Sequence, residues 1–302
     1  MKKVINLLKK NTLNFFTGAQ EMDTKCQNCG YTKAIRVYDD LRADFDLSTM
    51  EEELRSIFGK RKNGYCVRCG LYQDYLKLNI EQQRKFCVLM GSKDNSVSEE
   101  VYRKFPVPTE FIENFEKGMY EKRLVKWQEY LKKNNISPKK CLFLRPNFGA
   151  APLLVSKLFP NCQLDFLEIS DICAKTCQER IPKIKKLEGQ IHGYYEGEFL
   201  KERNYDLIFN FHTMVHSIDI HDMLSKLKKM LSVNGRIIFT HEIQVKTHNP
   251  FHMIYPSEWN LEAMIKQHFT QIDRINDCDI NNVPHINNYT KHKDSPDLVA
   301  YN

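Results

Sequence analysis

YDLIFNFHTMVHSIDIHDMLSKLKKMLSVNGRIIF, Tyr205 to Phe239, reads as strand, helix, strand. Leu207 to Phe211 is a short run of large apolar residues entered from Asp206, the pattern of a strand buried on both faces. Asp222 to Leu231 carries its apolar residues at helical spacing. Asn234-Gly235 marks a turn, and Arg236 to Thr240 is a second apolar run.

The same alternation extends upstream to Lys139. Cys141 to Leu144 reads as a strand, Pro152 to Phe159 as a helix, and Leu164 to Leu167 as a strand ending in Glu168. Asp171 to Arg180 reads as a helix and Ile191 to Tyr194 as a weak strand. Downstream, Ser257 to His268 looks helical, and Gln271 to Ile275 and Leu298 to Tyr301 suit two antiparallel edge strands. Repeated β-α units predict an α/β domain with a mostly parallel sheet covered on both faces.

In such a sheet, ligands bind beyond the carboxyl ends of the strands, near the point where strand order reverses. Three places therefore stand out. The loop after the first strand, LRPNFGAAP, contains Gly149, which allows close backbone approach to a ligand. Glu168 ends the second strand nineteen residues past Gly149, where an acid can hold a ribose diol. Asn210-Phe211-His212, with His216 four residues further on, closes another strand. Histidines at that spacing suit a cleft, a metal or simple packing.

Nearer the N-terminus the chemistry is different. Cys26-Gln27-Asn28-Cys29-Gly30 and Cys66-Val67-Arg68-Cys69-Gly70 are both CxxCG. Two residues between cysteines let one tight turn aim both thiolates at one ion, and the glycine supplies the positive φ that closes the turn. Cys26, Cys29, Cys66 and Cys69 thus predict a closed, structural zinc site. The 36 residues between the knuckles must hold an insertion, and TMEEELRSIF, 49–58, suits a short helix capped by Thr49 with Glu52 three residues on. The other six of the ten cysteines read as small core residues.

Three regions follow: a zinc module over 20–90, a helical connector over 91–138 and the α/β domain over 139–302. GSKDNS and the turn-prone Pro106 to Pro108 mark the connector, and a helix is expected from Thr109 to about Lys133. Tyr120, Leu124, Trp127 and Leu131 form one packing stripe on it. No apolar run approaches the roughly 18 residues of a membrane helix, and MKKVINLLKKNTLNFF lacks a signal peptide's unbroken apolar core. A cytoplasmic protein is expected. The net charge of +7 is spread along the chain, which permits nucleic acid or an anionic substrate without implying either.

Tyr205 to Phe239 resembles the stretch from the fourth to the fifth strand of class I S-adenosylmethionine (SAM) methyltransferases. His212 and His216 fall on the family's xHxxxH positions, and Ser232 to Gly235 stands for its "kpGG" turn. NPFHMIYPSEWNLEAMIKQHF is similar to the family's lead-in to a late helix. YCVRCGLYQDY, Tyr65 to Tyr75, is similar to the second knuckle of bacterial methyltransferases with an N-terminal zinc domain, among them sugar C-methyltransferases. The resemblance covers about residues 139 to 302 and implies a Rossmann-like fold with a late antiparallel edge, structural zinc and SAM as cofactor. It implies cofactor contacts at Arg145, Asn147, Gly149, Glu168 and Asn210. It also implies a base among His212, His216, His241 and Glu242, acting beside the carbonyl of a small polar acceptor such as a nucleotide-linked keto-sugar.

One motif departs from the family. Acid-x-Gly-x-Gly-x-Gly is here Phe143 to Gly149, with Arg145 and Asn147 at glycine positions. The loop is therefore expected to be remodelled, with Arg145 bringing positive charge near the sulfonium. Two other readings stay open. One is a catalytically inactive relative that binds another ligand at Arg145, or a protein partner through the zinc module or connector. The other is a nucleic-acid-directed methyltransferase, against which stands Asn210-Phe211-His212-Thr213 where an Asn/Asp-Pro-Pro-aromatic tetrad would be required.

Overall fold

The computed structural model describes residues 19–22, 24–37, 52, 63–75, 79, 81–82, 85, 121–191, 193–201, 204–240, 252–275 and 297–302. The expected 49–58 helix, apart from Glu52, and the connector's GSKDNS and Pro106 to Pro108 lie outside these residues.

Two sheets make up the described fold. Strands β1 (Ala19–Glu21), β2 (Lys33–Val37), β3 (Asn63–Cys66) and β4 (Tyr72–Asp74) form an antiparallel meander. After helix α1 (Glu121–Lys133) the chain alternates through β5 (Lys140–Leu144), α2 (Ala150–Leu158), β6 (Gln163–Leu167), α3 (Asp171–Arg180) and β7 (Lys185–Lys186). It continues through β8 (Tyr205–Phe211), α4 (Ile220–Met230), β9 (Leu231–Thr240), β10 (Ile254–Tyr255), α5 (Glu258–Lys266), β11 (Gln271–Arg274) and β12 (Leu298–Tyr301).

The larger sheet has seven strands in the order β11-β12-β9-β8-β5-β6-β7. β7, β6, β5, β8 and β9 are mutually parallel. β12 is antiparallel to both of its neighbours. This is the mixed α/β class expected from the sequence, with a mostly parallel sheet. Between β5 and β8 the chain reverses its direction of travel across the sheet, and the carboxyl ends at such a reversal are where open α/β sheets bind ligands.

Alternation along the strands builds a core on each face. Phe143, Phe209 and Phe211 join Trp127 and Leu131 of α1 and Val155 of α2 on one side. Leu142, Leu144 and Ile208 join Leu224 and Leu227 of α4 and Met264 of α5 on the other. The stripe on α1 thus packs within the chain: Trp127 lies 5.4 Å from Phe209 and 5.9 Å from Phe211, and its indole N–H donates to Asp297 at 2.7 Å. Burying a side chain of this kind contributes roughly 1.5–3 kcal/mol. Tyr120 lies outside the described residues. Helix starts are capped locally. Ser170 accepts from Cys173 N–H, Asp219 from His221 and Asp222 N–H, and Ser257 forms a capping box with Asn260.

Two expectations are corrected. The third parallel strand is not Ile191 to Tyr194 but Lys185–Lys186, whose two charged residues at the sheet edge have no apolar signature. Ile191 and Tyr195 are buried from a loop instead, which Gln190 and Glu196 close with paired backbone bonds. Asn234-Gly235 is not a turn ahead of a strand but part of a bulge inside β9: Tyr205 pairs with Leu231 and Leu207 with Arg236. Gly235 is required there, since a Cβ would meet the Tyr205 carbonyl at 2.6 Å. Asp206 ties the same corner together, accepting from Lys139 and Lys140 N–H and from the Ser232 hydroxyl.

The smaller sheet has the order β1-β2-β3-β4-β10. Its fifth strand comes from residues 254–255, far along the chain, so the zinc module expected over 20–90 is completed by the α/β half.

Candidate functional site

The two CxxCG segments are near-copies. Gly30 N–H donates to the Cys26 carbonyl and Gly70 N–H to the Cys66 carbonyl, each at 2.9 Å, with φ of +70° and +71°. The four cysteine Sγ atoms all lie within 4.8 Å of one another, with Cys26–Cys69 and Cys29–Cys66 at 3.5 Å. A tetrahedral zinc with bonds of about 2.3 Å places its sulfurs about 3.8 Å apart, so the donor set and spacing fit one such ion. Thiols packed this closely cannot ionise independently. The hydrogen bond between Cys26 and Cys69 pushes the Cys26 thiol up and pulls Cys69 down to about 5, while burial lifts Cys29 to about 11.

At the carboxyl ends of β5, β6 and β8 the structure brings Arg145, Asn147, Gly149, Glu168, Asn210, His212 and His216 to one rim of the sheet. His241 and Glu242 lie outside the described residues. The loop after β5 contains the main surprise. Arg145, Asn147 and Gly149 have φ of +59°, +53° and +91°. All three positions have a left-handed backbone, although two of them are not glycine. Gly149 cannot be replaced as easily: a Cβ there would lie 2.9 Å from Cys177 Sγ on α3. Arg180 of α3 also donates to the Phe148 carbonyl at 2.7 Å, pinning the loop. Phe143, at the motif's acid position, stacks on Phe209 at 5.0 Å in the core.

Glu168 is buried (5% exposed) and faces this loop. Its Oε2 accepts from Asn147 N–H at 3.0 Å and its Oε1 from Ser170 N–H at 3.1 Å. Burial pushes its carboxyl above the ordinary value, and the Arg145 charge and backbone N–H donors offset part of that rise. Asn210 is fully buried and its side chain sits in a closed ring of bonds. Its Nδ2 donates to the Tyr195 hydroxyl at 3.2 Å, Tyr195 bonds Thr213 at 2.7 Å, and the Thr213 hydroxyl donates to Asn210 Oδ1. Each member donates once and accepts once, which rigidifies the turn after β8.

His216 is buried, on the 3₁₀ turn Met214–His216, and its Nε2 lies 2.6 Å from an Arg145 terminal nitrogen. A guanidinium has no lone pair to offer, so Nε2 is the acceptor and the proton sits on Nδ1. His212, with φ of +48°, sets its Nε2 3.5 Å from a terminal nitrogen of Arg123 on α1. His252 meets the His216 ring edge-on at 4.9 Å. Arg123, Tyr195 and His252 escaped the sequence reading because they come from separate segments with no motif spacing to link them, and nothing in the sequence marks the Thr213 hydroxyl as the partner of Asn210.

No family model and no curated protein matches the chain. Among solved structures it is similar to a candidate O-methyltransferase of Nostoc punctiforme, at 16% identity and a TM-score of 0.49, over 64% of this chain and 59% of that one. The chain therefore spans less than two thirds of that protein's length. It is also similar to the plantazolicin methyltransferase BpumL in complex with S-adenosylhomocysteine (SAH), at 12% identity and a TM-score of 0.43, over 64% and 81% of the two chains. A third is coclaurine N-methyltransferase bound to N-methylheliamine and SAH, at 15% identity and a TM-score of 0.43, over 66% of each chain. Likeness this distant says nothing of what this chain acts on. No helix among the described residues is long and apolar enough to cross a membrane.

Proposed function

We propose that this chain is a SAM-dependent methyltransferase with a structural zinc ion on Cys26, Cys29, Cys66 and Cys69, acting on a small polar acceptor such as a nucleotide-linked keto-sugar. The observation that carries this reading is Glu168: a buried carboxylate at the end of β6, held by two backbone N–H groups against a left-handed loop at the crevice between β5 and β8. A carboxylate oriented in this way can accept both hydroxyls of a ribose. The bound cofactor supplies a methyl group on a sulfonium. Arg145 suits the carboxylate of its methionine part through paired N–H bonds.

On the acceptor side, a base would take a proton from the carbon beside a carbonyl, and the cofactor would supply the methyl group to that carbon, its S–CH3 bond breaking to leave SAH as the neutral thioether. Neutral histidine near its ordinary pKa suits that step. His212 and His216 are the described candidates, and His241 and Glu242 remain candidates beside them. In His216 the Arg145 guanidinium holds Nε2 unprotonated, so the pair must part before that nitrogen can take a proton.

Calorimetric titration of zinc-loaded protein with SAM and SAH tests the reading. Micromolar affinity that Glu168→Ala weakens tenfold or more, about 1.4 kcal/mol, is the expected result. No heat from folded protein sinks it. That outcome would favour a non-catalytic protein with an anion at Arg145, a reading that the arginine at a glycine position supports.

A further inference from the structure

Gln27 lies between two of the cysteine ligands, yet its bonds leave the module. Its Oε1 accepts from Ile220 N–H at 3.0 Å, the first residue of α4, and its Nε2 donates to the Ser217 carbonyl at 3.4 Å. Its own carbonyl accepts from His221 Nε2 at 2.5 Å. Its N–H donates to the buried Gln73 side chain of β4 at 2.7 Å, and Gln73 in turn donates to the Lys25 carbonyl.

A second route runs through the sheet. Asp74 N–H donates to the Met253 carbonyl at 2.8 Å, just ahead of β10, and Met253 N–H donates to the Val215 carbonyl at 2.6 Å. The module therefore grips the segment between β8 and α4 at Val215 on one side and at Ser217, Ile220 and His221 on the other. His216 sits between the two grips. The segment has one 3₁₀ turn, the Asn210–Tyr195–Thr213 ring at its start and an Ile218 N–H bond to the Gly193 carbonyl, so its position is set by what holds it.

We propose that Gln27 is a positioning residue that couples metal loading of the four-cysteine cluster to the placement of His216. Metal on the thiolates fixes the first knuckle and hence the Gln27 side chain. Gln27 in turn fixes the far side of the segment carrying His216, at Ser217, Ile220 and His221. The consequence for cofactor affinity rests on the methyltransferase reading; the coupling itself does not.

The test uses the full chain, zinc-loaded and chelator-treated, as wild type, Gln27→Ala and Gln27→Glu. Three quantities are read: bound zinc, amide hydrogen exchange over 213–221, and the His216 imidazole resonances, assigned by their loss in His216→Gln. The expected result is that Gln27→Ala keeps one zinc per chain while exchange at 213–221 rises about tenfold and the His216 signals shift. Gln27→Glu retains an acceptor for Ile220 N–H and should fall between wild type and alanine. Chelation of the wild type should reproduce the alanine pattern.

SAH titration in parallel should show affinity about fivefold weaker for Gln27→Ala. Unchanged exchange and unchanged His216 signals, either in zinc-loaded Gln27→Ala or in chelated wild type, overturn the proposal. If Gln27→Ala does not retain zinc, the chelated wild type and Gln27→Glu decide it alone. If SAH fails to bind any form, the methyltransferase reading falls, while exchange and imidazole signals still judge the coupling.

Discussion

The cysteine knuckles and the loop after β5 ask the same thing of the backbone and meet it with different residues. Each knuckle turns through one left-handed position, and each uses glycine, with nothing within 4 Å of where a Cβ would stand. The loop turns through three, and only Gly149 remains glycine. Asparagine tolerates this conformation by local hydrogen bonding, while a residue such as arginine gives up about 1–2 kcal/mol there. A loop can thus hold three left-handed positions with only one of them occupied by glycine. Surrounding contacts, here Glu168 on Asn147 N–H and Arg180 on the Phe148 carbonyl, can hold such a loop at positions that are not glycine.

The largest effect that could break this comparison is metal removal. Structural zinc on thiolates stabilises by about 10–16 kcal/mol in small modules. Chelation should therefore open β1 to β4 to limited proteolysis while β5, β6 and β8 resist. A module that stays protected would show that the knuckles do not depend on the metal.

Next comes glycine itself. Gly149→Ala combines a left-handed φ with a clash against Cys177 and should destabilise by about 2–4 kcal/mol in denaturant unfolding. Gly70→Ala has the φ penalty alone and should cost about 1–2 kcal/mol. Equal losses would erase the distinction drawn between the sites.

Acid pH addresses Glu168. Its pKa is raised by burial, so the folded chain binds that proton more tightly than the unfolded chain. Its contribution to stability is therefore present at acid pH and is lost as pH rises through the folded pKa. Ribose binding needs the ionised acceptor, so SAH affinity should begin to fall, on acidification, above the ordinary carboxylate value of 4.5. Calorimetry across pH should show this slope in the wild type and not in Glu168→Gln.

The smallest effect sharpens the comparison most. Arg145→Gly relieves the strained φ but frees the unfolded chain, so stability should rise by about 1 kcal/mol or less. A clear loss would mean that the Arg145–His216 contact outweighs the strain.

Much of this was legible from local patterns. Apolar runs ending at Leu144, Leu167 and Phe211 read as strands because burial on both faces forces such runs. Asp171 to Arg180 read as a helix from its place in the β-α alternation, and the structure caps it with Ser170. β7 was not legible, because two lysines at an edge carry no apolar signal. The bulge in β9 was not either, since Asn-Gly reads as a turn whether or not pairing resumes beyond it. The commitment of Asn210 to Tyr195 and Thr213, and of His216 to Arg145, joins residues from distant segments that share no periodicity.

By itself the sequence determined the strand and helix alternation, the two CxxCG turns and the position of Glu168, because each rests on spacing within a few turns of chain. Only the tertiary structure decided that the loop after β5 is left-handed at Arg145 and Asn147 as well as at Gly149, that residues 254–255 complete the cysteine module's sheet, and that Gln27 bonds Ser217, Ile220 and His221. Those outcomes depend on contacts between residues up to some 190 positions apart, such as Gln27 with Ser217, and no local pattern encodes which distant groups will meet.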